Sequence, residues 1–451
     1  MIPLLTRLGR SAFTLGFLCS VTGCGLDESR NSDSEPLQHA PRAPNASMPE
    51  GFYTLDGDRA SFMLFSVGAS YDVARSIPVV DSEGRITLAG SSETESGNNG
   101  SKFAAVRFLH TGALDTSFFT SGITVNSGLA TFGLYYALVL QTDSRTVAVG
   151  RKSTESAADI AVSRYFTDGA LDTGFNTTGF VALNPTGNAD IGYAGVIRTD
   201  GRIYVSGSGN GQFLVYRLHA SGTADTSFHT DGRANTDLGQ SDQAALAIVE
   251  QTDGRLVALG AHHIGGGITA ADFQAVRYHT DGSLDTGFNT TGMKTLSLDG
   301  GCDSVLTAVI QSDGKVVMGG QVASMFDGSA LLVRMDTDGN LDTSFFTGGV
   351  HKHQPFTLTQ GFRVKLQTDG LILVSGQDGT NGDAYIGRYV TSGNLDTSFK
   401  TIGYTTADYG GGQDLFYGVT VLTSGALLAA GAGSTSLKAQ FAVARFATDG
   451  T

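Results

Sequence analysis

Two sets of charged residues recur along this chain at fixed spacing, and both are able to do chemistry. In the first set an arginine is followed eight residues later by an aspartate, in the pairs Arg107 and Asp115, Arg164 and Asp172, Arg217 and Asp225, Arg277 and Asp285, Arg334 and Asp342, and Arg388 and Asp396. Each pair flanks a turn glycine, so its members would lie diagonally across a hairpin and form a structural ion pair. The alternative is a repeated ion-binding turn, because Asp336, Asp338 and Asp342 have the spacing of a calcium loop.

The second set consists of aspartates that come a few residues before the first strand of a repeated unit. They are Asp72, Asp190, Asp242, Asp303 and Asp414. If that strand is the innermost of its unit, the carboxylates would ring the mouth of a channel and hold a cation or a basic ligand group. Calcium is the cation that such a ring would take, and the sequence predicts no other cofactor. The alternative is that each aspartate caps backbone amides at the start of its strand.

Aromatic residues accompany these aspartates in or just after the same connections. They are Tyr135, Tyr136, Tyr193, Phe416 and Tyr417. Aromatic rings beside carboxylates could form a surface for a glycan or a peptide, and packing between neighbouring units is the alternative. No catalytic residue is predicted, since the chain has no zinc-protease pattern, phosphate loop or nucleophile elbow.

A unit that occurs seven times, with a period of 53 to 60 residues, carries these side chains. Its first tight turn lies at Gly84, Ser144, Gly201, Gly254, Gly314, Gly370 and Gly425, and each of these positions has a glycine six residues later. The arginine follows a variable stretch, and a second turn glycine follows the arginine. With four strand-like segments per unit, this period predicts an all-β fold, a seven-bladed propeller of four-stranded blades.

The order of strands a to d in such a blade predicts two different faces. The a–b and c–d turns, such as Asp313-Gly314, are short and uniform, and we expect them to be type I′ hairpins on one face. All length variation falls in the b–c and d–a loops on the opposite face. Variable loops on a rigid scaffold are where binding residues are commonly found.

The chain stops one residue after the seventh second turn, so the seventh unit lacks its own strand d. Residues 52–67 contain a partial copy of the unit, with Leu55, Asp56 and Phe62. We therefore expect an N-terminal strand to fill the missing edge and close the ring, which would leave no open β-edge.

The first residues look like a bacterial lipoprotein signal. Arg7 and Arg10 precede a short apolar run, and small residues lead to Cys24. The sequence thus predicts a signal peptide over residues 1–23, a lipidated Cys24 with a disordered tether over residues 24–50, and the propeller over residues 51–451. An ordinary secretory signal is the alternative. Gly25, where an aspartate would favour the inner membrane, indicates an outer-membrane anchor facing the periplasm or the exterior.

The formal net charge of −14 argues against a nucleic-acid partner. Removal of residues 1–23 takes away two arginines and no acid, so the mature chain is more acidic still. Membrane contact is therefore expected through the lipid alone.

Three stretches of the fourth unit resemble the delta-60 repeat of bacterial surface and secreted proteins: residues 251–260, 273–278 and 281–288. The resemblance extends over residues 70–451. It implies a propeller in the cell envelope and no catalytic residues. We interpret the chain as a lipoprotein whose propeller is a non-catalytic binding or scaffolding module for a protein or glycan. The alternative is a propeller enzyme, a lyase or hydrolase, with a metal at the channel mouth.

Overall fold

The fold is a seven-bladed β-propeller, as predicted, seen here in a computed structural model. The structure describes residues 53–54, 61–65, 71–93, 101–119, 121–126, 129, 132–153, 158–184, 187, 189–239, 241–263, 271–298, 302–323, 328–353, 360–409, 413–435 and 438–451. Within these ranges the only helical element is one 3-10 turn, Phe288–Thr290. No helix in the described part of the chain is long and apolar enough to cross a membrane.

The N-terminal strands and those of blades 1 to 3 follow one another as simple antiparallel meanders. They are β1 (Tyr53–Thr54) and β2 (Ser61–Phe65); in blade 1, β3 (Tyr71–Ala74), β4 (Val79–Val80), β5 (Ile86–Glu93), β6 (Lys102–Phe108) and β7 (Ile123–Asn126); in blade 2, β8 (Phe132–Leu140), β9 (Thr146–Ser153), β10 (Ala158–Tyr165) and β11 (Phe180–Leu183); in blade 3, β12 (Asp190–Ile197), β13 (Ile203–Gly209), β14 (Gln212–Leu218) and β15 (Arg233–Thr236).

Blades 4 to 7 repeat the same order of strands. They contain, in blade 4, β16 (Ser241–Glu250), β17 (Leu256–His263), β18 (Ala271–Tyr278) and β19 (Met293–Leu296); in blade 5, β20 (Cys302–Ile310), β21 (Val316–Ala323), β22 (Gly328–Met335) and β23 (Val350–His353); in blade 6, β24 (Gln360–Leu366), β25 (Ile372–Gln377), β26 (Ala384–Tyr389) and β27 (Tyr404–Ala407); and in blade 7, β28 (Leu415–Val421), β29 (Leu427–Thr435) and β30 (Lys438–Phe446).

The hydrophobic core lies between the blades and not within them. Strands b and c are apolar on both faces, so each blade buries one face against each neighbour. Tyr204 and Val215 of blade 3, for example, share a cluster with Leu256 and Ala258 of blade 4. This arrangement explains the continuous apolar runs of strand b.

The arginine of strand c joins each of blades 1 to 6 to the next blade. In blade 5, Arg334 Nε donates to Asp342 of its own blade at 2.8 Å, and Nη1 donates to the Thr391 carbonyl of blade 6 at 2.7 Å. Its guanidinium carbon lies 4.6 Å from the centre of the Phe345 ring. That ring packs on Gly393 of blade 6, where a Cβ would come within 2.8 Å of it. We call this set of contacts the seam.

All six seams are built alike. The Nε–carboxylate distances are 2.7 to 2.8 Å, and the guanidinium–ring distances are 4.6 to 4.9 Å. The residue after the phenylalanine adds a backbone contact, as when Phe346 N–H donates to the Ser392 carbonyl at 2.7 Å. Phe346 has a φ of 46°, a left-handed conformation that costs a non-glycine residue about 1 kcal/mol. The seam therefore stabilises a locally strained backbone.

The tight turns differ from the expected type I′. In the turn after β20 the Gly314 φ is 83°, but Asp313 is not among the residues with positive φ. Gly314 N–H donates to the Gln311 carbonyl, and Gln311 N–H donates to the Lys315 carbonyl. This pattern is a type I turn followed by a left-handed glycine, the usual three-residue hairpin loop. Ser144 adopts the same conformation at φ 64°.

The glycine of strand b is explained by a bulge in strand a. In blade 4 the β16–β17 register shifts between Ala245 and Ala247, so that Leu246 is the extra residue. The bulge brings the strand a backbone so close that a Cβ on Gly260 would lie 1.8 Å from the Ala244 carbonyl oxygen. The same contact, at 1.8 to 1.9 Å, occurs at all six of these glycines whose surroundings are described: Gly90, Gly150, Gly207, Gly260, Gly320 and Gly431.

The N-terminal strand β2 pairs antiparallel with β30, with Ser61 opposite Arg445 and Phe65 opposite Phe441. β1 pairs in turn with β2, so the sheet of blade 7 has the order β1-β2-β30-β29-β28. Leu55 and Asp56 of the expected partial repeat lie outside the described residues. That the pairing closes the ring remains a prediction.

We expect Gly260→Ala to lower the free energy of unfolding by about 3 kcal/mol, because the new methyl group overlaps a backbone oxygen that only a strand shift can move. Gly239→Ala is the matched control, since its Cβ would meet nothing within 4 Å although its φ is 80°. The control should lose about 1 kcal/mol from backbone strain alone. Urea denaturation measures both, and equal losses would show that the close approach is not what requires the glycine.

We expect deletion of residues 53–65 to lower the melting temperature, because β30 would lose β2 as its second backbone partner and would become an open edge. The matched control is a deletion of residues 25–49, the predicted tether, which should leave melting unchanged. Both are read by circular dichroism. Identical melting curves for the two deletions would mean that β2 does not stabilise the ring.

Candidate functional site

The six arginine–aspartate pairs lie in the seams, where both groups are already engaged. Burial by itself would raise the pKa of Asp225, but hydrogen bonds from Ser227 and Arg217 outweigh burial and hold the pKa below its ordinary value. The aspartates with calcium-loop spacing are similarly occupied. Asp336 accepts the Asp338 N–H at 2.9 Å, and Asp342 contacts Arg334 and Lys315. These carboxylates act as turn caps and ion pairs.

Three of the five aspartates of the predicted acidic ring are buried. Asp190, Asp303 and Asp414 have no exposed surface. Asp303 accepts the Leu298 N–H at 2.7 Å, and Asp414 accepts the Tyr409 N–H at 2.8 Å. Each of these two carboxylates therefore fastens the d–a loop that leads into its own strand. The side chain of Asp72 lies outside the described residues, although its backbone pairs with Ser92.

In blade 4 the ring position belongs to Gln243 and not to Asp242. A further register shift between Ser241 and Ala244 places Asp242 at φ 53° with its side chain exposed. Gln243 is fully buried, and its Oε1 accepts the Leu238 N–H at 2.8 Å, as the ring aspartates do in their blades. The sequence prediction chose Asp242, one residue before the correct position, because spacing alone does not reveal a bulge.

Only Asp414 of the predicted ring joins a group of potential metal ligands within the described part of the chain. One carboxylate oxygen each of Asp383, Asp408 and Asp414 lie within 4.8 Å of one another. Asp383 ends the b–c loop of blade 6, Asp408 lies in the following d–a loop, and Asp414 begins blade 7. The Asp414 N–H also donates to the Gly382 carbonyl at 2.7 Å, which ties the two blades together. We call these three residues the acidic cluster.

The acidic cluster concentrates negative charge on the variable face. Burial, followed by repulsion from Asp408, Asp378 and Asp414, raises the pKa of Asp383 to about 6. Three carboxylate oxygens at this spacing suit a hard cation such as calcium, or a basic group of a partner. Sequence reasoning missed Asp383 and Asp408. The available signal was the loop Asp378-Gly-Thr-Asn-Gly-Asp383, with an acid at each end.

The predicted aromatic surface separates into two groups. Tyr135 and Phe416 are fully buried between blades, and the Tyr135 hydroxyl lies 2.8 Å from the Tyr165 hydroxyl. Tyr136, Tyr193 and Tyr417 instead occupy the bulge position of strand a. Two adjacent residues point in opposite directions, so the bulge turns one ring toward the axis and leaves its neighbour in the core.

The bulge residues line the central channel. The Tyr136 and Tyr193 ring centres are 5.1 Å apart, and Leu246 and Leu306 extend this apolar wall through blades 4 and 5. A cavity of about 140 Å³ lies between this wall and Arg363 of blade 6. Tyrosine and leucine side chains therefore form the channel wall on the side of blades 2 to 5.

A wider cleft of about 590 Å³ lies on the tight-turn face between blades 5 and 6. Gln311, Lys315 and Thr391 are among the residues that line it. Its walls are turns of the repeated type, with alternating polar and charged groups. No predicted site residue outside the seam pairs contributes to it.

Five segments of the chain match the model of a family described as a domain of unknown function, DUF5122, a β-propeller: residues 82–118, 141–175, 198–228, 251–288 and 311–345. Each segment runs from the a–b turn to the seam phenylalanine, so the matched unit is the repeat recognised in the sequence. The delta-60 name and the lipoprotein character remain predictions. No curated protein matches the sequence significantly.

Several solved structures are similar in fold. A protein of unknown function from Dyadobacter fermentans has a TM-score of 0.49 at 12% identity, over 85% of this chain and 97% of that one. The β-propeller domain of the trilobed protease from Pyrococcus furiosus gives 0.44 at 10%, over 84% and 96%. An ulvan lyase of polysaccharide lyase family 25 gives 0.43 at 9%, over 84% and 97%. Sequence identities this low give no information about function.

We expect Asp383→Asn to raise the melting temperature at pH 8 and to change it little at pH 4. The folded-state pKa of Asp383 is above that of the unfolded chain, so its stabilising contribution is complete below about pH 4 and is lost as pH rises through about 6. Melting curves in EDTA across this range test the sign.

Asp369→Asn, at an exposed turn of the same blade, is the matched control. It should leave the melting temperature unchanged at both pH values. A wild-type stability that rises between pH 4 and pH 8 relative to Asp383→Asn would contradict the assignment. Added calcium should cancel the advantage of Asp383→Asn if the acidic cluster holds the cation.

Proposed function

We propose that the chain is an outer-membrane lipoprotein whose propeller binds a protein or glycan partner through the variable face, without catalysing a reaction. The acidic cluster is the observation that carries this proposal. It brings carboxylates from two blades together on that face, and one of them has a pKa of about 6. Such a group is costly to keep charged when alone and is stabilised by a partner of opposite charge.

The construction of the ring supports the choice of face. Every seam is built from the c–d turn of one blade and the turn region of the next. Residues of the tight-turn face therefore make the contacts that hold neighbouring blades together. The b–c and d–a loops are not required for the seams. They are therefore free to carry recognition residues, as loops on rigid scaffolds commonly do.

The charge of the face favours one kind of partner. Carboxylates attract lysine and arginine side chains, and the chain as a whole has a net charge of −14. A protein with a basic patch fits these observations better than a neutral glycan does. An acidic glycan would need a bridging cation at the acidic cluster.

We expect a photo-crosslinking residue at Thr380 to capture a partner in intact cells, and the same residue at Thr368 to capture none. Both positions are exposed threonines of blade 6, but Thr380 lies in the b–c loop and Thr368 in the a–b turn. They therefore compare the two faces within one blade. Mass spectrometry identifies the adduct and shows whether it is a protein.

The adduct should weaken with Asp383→Asn combined with Asp408→Asn, and persist with Asp313→Asn combined with Asp369→Asn, which removes the same charge from the other face. Cys24→Ser should release the protein from the membrane fraction and abolish the adduct if the partner is in the envelope. Equal crosslinking from the two faces would refute the choice of face. Turnover of a polysaccharide that depends on Asp383 would favour the metal-dependent enzyme instead.

A further inference from the structure

The side of the channel opposite the apolar wall carries cations. Arg75 is at the bulge of blade 1, where both its N–H and that of Ser76 donate to the Ala89 carbonyl. Arg363 and Lys365 lie two residues apart on β24 of blade 6 and are half-buried. Tyr417 belongs to blade 7, which lies between blade 6 and blade 1. Arg363 lines the cavity itself, and together with the nearby Arg75 it gives the channel a cationic side.

These cations have weak protein partners. The Arg363 Nη1 donates to the Leu306 carbonyl at 3.4 Å, and the Arg75 guanidinium lies 5.6 Å from the centre of the Tyr417 ring. The Arg75 Nε is buried and makes no hydrogen bond within the described part of the chain. Among those residues, Arg75, Arg363 and Lys365 form no ion pair with a carboxylate, in contrast to the six seam arginines.

The setting makes these positive charges costly. Burial and the nearby Arg75 lower the pKa of Arg363 to about 10, which the Tyr417 hydroxyl only partly offsets. Burial also lowers the pKa of Lys365. Desolvated charges that lack an opposite charge destabilise a fold, and a bound anion removes that cost.

The shape and the lining define which anion fits. The cavity of about 140 Å³ is small, so it suits a ligand of a few non-hydrogen atoms. Guanidinium groups hold carboxylates in bidentate geometry. The opposite wall, formed by Tyr136, Tyr193, Leu246 and Leu306, presents leucine side chains and tyrosine rings to the rest of the ligand.

We propose that the central channel is a binding site for a short-chain carboxylate, with its oxygens toward Arg363 and Arg75 and its hydrocarbon part against the wall of Tyr136, Tyr193, Leu246 and Leu306. This site is separate from the acidic cluster, which lies in the loops between blades 6 and 7. It does not depend on the lipid anchor or on the partner of the variable face.

Isothermal titration calorimetry with sodium propionate tests the proposal on the mature chain carrying Cys24→Ser. Ionic strength is held constant with sodium chloride, and sulfate and phosphate are titrated in parallel. We expect propionate to bind and to raise the melting temperature, since a ligand of the folded state stabilises it by mass action. Sulfate and phosphate should bind more weakly, because neither has a hydrocarbon part for the apolar wall.

Arg363→Gln should weaken the propionate Kd by about tenfold or more, as expected for loss of a charge-assisted hydrogen bond. Arg233→Gln is the matched control, because it removes the same charge from the outer strand β15, and it should leave the Kd unchanged. Arg363→Gln should also melt higher than the wild type in chloride alone. If this variant fails to fold, Arg75→Gln serves as the second variant with the same expectation.

Absence of heat and of any melting shift with propionate would overturn the proposal. Sulfate or phosphate binding as tightly as propionate would also overturn it, since the site would then select an inorganic oxyanion. Propionate binding that survives both arginine variants would place the ligand elsewhere. None of these results bears on the crosslinking test of the variable face.

Discussion

The arginine of strand c is the residue on which the rest of the ring depends. It is buried, it is paired with an aspartate of its own blade, and it reaches a carbonyl of the next blade while lying on a phenylalanine ring. Removing one partner of a buried ion pair costs about 3–5 kcal/mol, because the other charge is left without compensation. The six seams therefore hold each blade from the first to the sixth firmly against the next blade.

The seams also explain why the two faces of the propeller differ. Each seam needs a turn glycine under the phenylalanine ring and a left-handed residue after it, so the tight-turn face tolerates little change of length. The other face also contributes contacts between blades, such as the bond from the Asp414 N–H to the Gly382 carbonyl, but these contacts do not repeat in every blade as the seam does. Loops on that face are free to differ, and the acidic cluster arises where two of them meet.

The sequence predicted what repeats and missed what depends on three dimensions. The period, the blade number and the position of the arginine–aspartate pairs could be read directly, since each recurs at a fixed offset. The exchange of Asp242 for Gln243 could not, because a bulge adds a residue without altering the apolar pattern. Asp383 and Asp408 were missed for a related reason: they meet Asp414 only when blades 6 and 7 are placed side by side.

The bulge of strand a connects the scaffold to the chemistry of the channel. Gly260 and its equivalents are required because the bulge brings the strand a backbone close to them. The same close approach does not restrict which side chain occupies the bulge position. In the described blades that side chain is arginine, tyrosine or leucine: Arg75, Tyr136, Tyr193, Leu246, Leu306 and Tyr417. The repeat thus fixes a backbone feature that aims one residue per blade at the axis and leaves its identity open. A channel with a cationic side and an apolar side follows from substitutions at this single position and the residue beside it, without any change in how the blades pack.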